Sequence, residues 1–145
     1  QATTIQSRLG SPNLYLDPPR RVVSLPKDFL IYAHAGRRWV GGSRHGRFYL
    51  YVEKLREGEP VLPTVLAVPE IDLFLCSVGR AEPEEEGISL LPVAGSLTAH
   101  WVEGYLASVD LSGKGTYLVM VADTHEEGRA GARDGVLAVV RCFEF

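Results

Sequence analysis

Helical periodicity is the first thing this 145-residue sequence lacks. No window of eleven or more residues shows a convincing helical period, which argues against a helix bundle and leaves strands as the expected building material. No apolar run approaches the ~18 residues that a membrane-crossing helix needs. Internal repeats, low-complexity tracts and heptads are absent, so solenoids and coiled coils are excluded too. Cysteine is limited to Cys76 and Cys142, whose spacing fits neither a zinc site nor a redox pair. A disulfide between them is one expectation, and two buried free thiols is the other. Lysine supplies only three of the fifteen basic residues, so the cationic chemistry rests on arginine.

What is present has the balance of a folded domain, with 46% hydrophobic and 23% charged residues, and the length suits one core. The formal charge of -3 conceals a split. Residues 1–60 hold ten Lys or Arg against five Asp or Glu, and residues 61–145 hold five against thirteen. An acidic total argues against a nucleic-acid partner and favours complementary faces. The chain begins at Gln1 without an initiator methionine, as it would after removal of a signal peptide or after trimming, and the sequence does not separate the two. An extracellular or virion-surface location is favoured over a cytoplasmic one.

Residues 1–20 are polar and then punctuated by Pro12, Pro18 and Pro19, so they read as an extended N-terminal arm. Leu14, Tyr15 and Leu16 form its one apolar patch, which must dock on its own domain or on a neighbour. Residues 21–145 read as a single β domain. Short runs rich in Val, Ile, Leu, Tyr and Phe, closed by Gly, Pro, Asp or Ser, mark strands at 21–25, 29–34, 38–40, 47–55, 64–68, 71–78, 88–91, 97–102, 105–110, 116–122 and 135–143. In 48–53, Phe48, Leu50 and Val52 share one face and Tyr49, Tyr51 and Glu53 the other, which predicts a half-buried strand. Gly113 and Gly115 place a hairpin between Val109 and Thr116, and a longer loop over 41–46 closes a second. Pro60, Pro63 and Pro69 push residues 61–68 to a sheet edge or a crossover. The expected architecture is all-β, an antiparallel sandwich or barrel of about ten short strands carrying an extended N-terminal arm.

Catalytic signals are weak. His34, His45, His100 and His125 never fall at ligand spacing. The acidic residues around His125 read as a solvated turn, and those at 82–86 as an exposed loop rather than a calcium site. No glycine pattern precedes a helix, so phosphate loops are excluded. No catalytic residue, cofactor or metal is therefore expected. The strongest cluster is basic: Arg37, Arg38, Arg44, His45 and Arg47 beside Trp39, Phe48 and Tyr49. Arginine among aromatics serves protein interfaces as well as single strands of nucleic acid, and the acidic total favours the interface.

The expectation is a non-enzymatic structural or assembly protein that forms a homo-oligomer or joins a larger assembly. A capsid-decorating protein or an extracellular filament or surface subunit has this plan. Leu14, Tyr15, Leu16, Arg37, Arg38, Trp39, Arg44 and Arg47 are its interface candidates. The alternative is a secreted β-sandwich module that binds carbohydrate or peptide through exposed aromatics such as Trp39, Tyr49 and Tyr51.

Overall fold

β-Branched and aromatic runs become strands along most of the chain. The structure, a computed structural model, describes residues 10–16, 21–83, 87–125 and 129–143. β1 (Asn13–Leu16) and β2 (Arg21–Ser24) form a small antiparallel pair. The main sheet holds β3 (Phe29–Ala35), β4 (Arg38–Ser43), β5 (Phe48–Lys54), β6 (Val65–Val68), β7 (Leu73–Ser77), β8 (Glu82–Pro83), β9 (Ser89–Leu97), β10 (His100–Asp110) and β11 (Thr116–Asp123). Its order is β3-β4-β5-β11-β10-β9-β7-β6, antiparallel throughout, with β8 beside the start of β9. A 3-10 turn over Pro69–Ile71 links β6 to β7, and helix α1, the one α-helix among the described residues, spans Arg129–Arg141.

Two apolar cores lie on opposite faces of this sheet. The first is roofed by α1 and by the β1–β2 pair: Ala132, Val136, Val139, Val140 and Phe143 pack with Leu14, Leu16 and Val23 over Leu50, Val52, Tyr105, Val119 and Val121. The second lies inside the curl of the sheet and joins Tyr51, Leu66, Leu73, Leu75, Leu97, Leu106, Leu118 and Met120. Glycines permit the curl. A Cβ on Gly95 would stand 2.0 Å from the Phe74 carbonyl oxygen, and one on Gly104 the same distance from that of Val121. Only a residue without a side chain fits where strands bend so closely past one another.

Several expectations change. The strand expected at 135–143 is a helix, so the domain is mostly but not purely β. Valines disguised it, because β-branched residues suit strands. Burial of Ala132, Val136, Val139, Val140 and Phe143 has helical spacing, and Gly131 and Gly135 let the helix settle against Phe48 and Val121. The expected breaks near Gly95 and Gly104 do not exist either: both glycines lie inside long strands. Pro92 is tolerated in β9 because its carbonyl, and so its missing N–H, faces the side where pairing with β7 has ended at Val93. β5 is buried on both faces rather than one, with Leu50 and Val52 in the first core and Tyr51 in the second. In the N-terminal segment, β1 pairs with β2, and Ser11 bridges Ile31 of β3. The rest of the expected arm, residues 1–9 and 17–20, lies outside the described residues, as do 84–86 of the acidic loop and the glutamates after His125.

Candidate binding surfaces

The basic cluster that is contiguous in sequence is divided in space. Arg37 and Arg38 stand at one end of β4 and Arg44 and Arg47 beyond the other, roughly 20 Å away for six extended residues. At the first end, Arg37 Nη1 donates to Lys54 O at 2.6 Å, Glu53 Oε2 at 3.3 Å and Glu59 Oε1 at 3.3 Å. Arg38 lies 3.7 Å from Glu53 Oε1 and pairs through Nη1 with Glu70. Tyr51 donates its hydroxyl to Glu53 Oε1 at 2.5 Å. Glu53 is a buried carboxylate made tolerable by two hydrogen-bond donors, Arg37 and Tyr51, and by the nearby charge of Arg38. Burial, followed by the hydrogen bond to Glu53 and the charge of Glu53, pushes the Tyr51 phenol well above its usual range.

At the other end, Arg47 donates from Nε and Nη2 to Asp123 at 3.0–3.3 Å, and its guanidinium lies 4.9 Å from the Phe48 ring centroid. Asp123 is buried and also accepts the His125 N–H at 2.9 Å. Arg44 and His45 are exposed on the turn. Trp39 is 1% exposed and stacks on His34 at 4.5 Å, with no acceptor for its indole N–H among the described residues. Leu14 and Leu16 are buried in the chain's own core, while Tyr15 is exposed. Of the expected interface residues, then, Leu14, Leu16 and Trp39 are spent on packing and Arg37, Arg38 and Arg47 on internal ion pairs. Cys76 on β7 and Cys142 after α1 are free thiols, and burial raises the pKa of Cys142.

The curl leaves a cleft of about 390 Å³ between β4–β5 on one side and the 3-10 turn with β7 on the other. Val40, Tyr49, Ile71, Leu73, Leu97 and Met120 form its walls. The Arg38–Glu70 pair ties the two sides together. Asp72 and Thr98 stand at its lip with φ of 52° and 50°, followed by Ala99 at 64°. Thr98 N donates to Asp72 O at 3.0 Å. Thr98 and Ala99 are the two central residues of the β9–β10 hairpin, a type I′ geometry that normally takes Asn-Gly. Side chains in this left-handed region cost about 1–3 kcal/mol each.

Outside the curl, the register aligns Ala67, Phe74, Ser96 and Trp101 in one row across β6, β7, β9 and β10. This is the face that α1 roofs elsewhere, because Leu90 and Tyr105, in phase with Ser96 and Trp101 along β9 and β10, belong to the first core. Here nothing among the described residues covers it: Val65 is 48%, Phe74 51% and Trp101 65% exposed. No known protein family, characterised protein or solved structure matches this chain. Sequence reasoning passed over the row, although residues 73–75 are apolar on both faces and only one of those faces is roofed.

Proposed function

We propose that the protein is a non-enzymatic structural subunit that self-associates through the uncovered face of β6, β7, β9 and β10. A capsid-decorating protein or an extracellular filament subunit works in this way. The row containing Phe74 and Trp101 carries the reading, because large aromatics exposed together are the usual anchors of a protein contact. The favoured occupant is a second copy of the chain. β6 ends the sheet, so its outer edge has no strand neighbour among the described residues. Antiparallel pairing of β6 with its copy across a twofold axis would extend the sheet and join the two apolar rows in one self-complementary contact. Pro63 and Pro69 bracket β6 and would hold that pairing to a short register. The curl itself we read as a barrel left open between β4 and the 3-10 turn. This reading moves self-association from the N-terminal arm and the charge halves to the sheet face, since Leu14, Leu16 and three of the arginines already have partners within the chain.

Light scattering after size exclusion tests it. The expected result is a dimer at low and high salt, since an apolar contact is not screened as ion pairs are. The double variant Phe74→Asp/Trp101→Asp should be a monomer with unchanged circular dichroism. A monomeric wild-type chain at both salts overturns the proposal.

A further inference from the structure

We infer that the cleft inside the curl is a binding site for a small organic amine, an apolar or aromatic body carrying one ammonium group. The proposal goes beyond self-association and uses the opposite face of the sheet. A cleft of about 390 Å³ falls in the range of small-molecule sites, and its walls match their usual character of mostly apolar lining with a few polar groups. Six apolar walls select an apolar body. The polar atoms left over select the head group. Glu70 is already engaged by Arg38. Asp72 is exposed at the lip, and its carboxylate has no hydrogen-bond or ion-pair partner among the described residues, nor does the Tyr49 hydroxyl. The unpaired Asp72 carboxylate repels an anionic ligand, while an ammonium can donate to it, and the Tyr49 hydroxyl is a further acceptor lining the same cleft.

The backbone supplies a second line of support. Asp72 and Thr98 are two of the four non-glycine residues with positive φ among the described residues, and both line this cleft. Strain of this kind persists where the surroundings hold it in place, and the Thr98 N–H to Asp72 O hydrogen bond ties the two turns together at the cleft.

The test uses the full chain with 2-phenylethylamine as probe and its N-acetyl derivative as the neutral analogue. Titration calorimetry should give a dissociation constant below about 1 mM for the amine. Binding should shift the Thr98 amide and Met120 methyl resonances, and the N-acetyl derivative should bind at least about tenfold more weakly. Asp72→Asn should lose a similar factor, and asparagine tolerates the left-handed backbone, so the fold is kept. Equal binding of amine and N-acetyl analogue to the wild-type chain overturns the inference. So does no binding of the amine, or shifts confined to residues outside the cleft.

Discussion

The two halves of the main sheet share one ladder and one alternation of side chains, yet they end in different environments. Over β5, β11 and β10, the outer face meets α1, and residues such as Val52, Val119 and Val121 vanish from solvent. Over β9, β7, β6 and the first residues of β10, the same face carries Phe74 and Trp101 into water. Strand propensity and register are alike on both sides. What differs is the thirteen-residue helix laid over one of them. Apolar sequence in a strand therefore reports a demand for cover, and the described residues meet that demand on only half of the outer face.

The sharpest way to break the contrast is to place a charge on each half. Val136 is fully buried under the roof, and Val136→Asp should cost more than about 4 kcal/mol, enough to unfold a marginal domain. Phe74→Asp, on the uncovered half, should change monomer stability by less than about 1 kcal/mol while abolishing self-association. Urea denaturation of both variants compares them directly. Equal losses would mean that Phe74 is covered within its own chain.

A second, smaller effect separates β5 from the uncovered strands by pH. The phenol of Tyr51 has its folded pKa raised above the unfolded value of 10.0. The folded state therefore holds this proton more tightly, and the associated stability is complete below about pH 10 and lost as pH rises beyond it. Tyr51→Phe should lose about 1 kcal/mol at neutral pH with its hydrogen bond to Glu53, and should flatten the alkaline fall in stability. A melting series from pH 7 to 11 reads both. An unchanged alkaline slope would remove Tyr51 as its source.

The smallest expected change lies in the hairpin that joins β9 to β10. Replacing Thr98 and Ala99 by Asn and Gly supplies the residues a type I′ turn prefers, and should raise stability by about 1 kcal/mol. A fall in denaturation midpoint would show that Thr98 makes contacts worth more than its strain.

That hairpin also shows where the sequence could be read and where it could not. Strands bounded by glycine, proline or aspartate were legible, as were the β10–β11 turn at Gly113 and Gly115 and the edge position of β6 beside its prolines. Turns built from Thr-Ala carry no local signal. Gly95 and Gly104 gave the opposite trouble, since a glycine that bends a strand looks like one that ends it. The helix was hidden because its valines serve a strand equally well until one knows which neighbours they face. Of the site, the arginines were visible but their partners were not: Glu53, Glu70 and Asp123 reach them only through folding.

The position of β11 has a consequence for how the chain reaches this state. β3, β4 and β5 form one meander and β9, β10 and β11 another, and among the described residues the only ladder joining them pairs residues 48–54 with 117–123. Contacts that span so much sequence carry a large loop-closure cost before they return any stability. The seam at the centre of the finished sheet should thus be among the last parts to close, in a slow phase. Until it does, β5 presents a bare strand edge, and a chain crowded with its own copies during synthesis is most open there to pairing with the wrong partner.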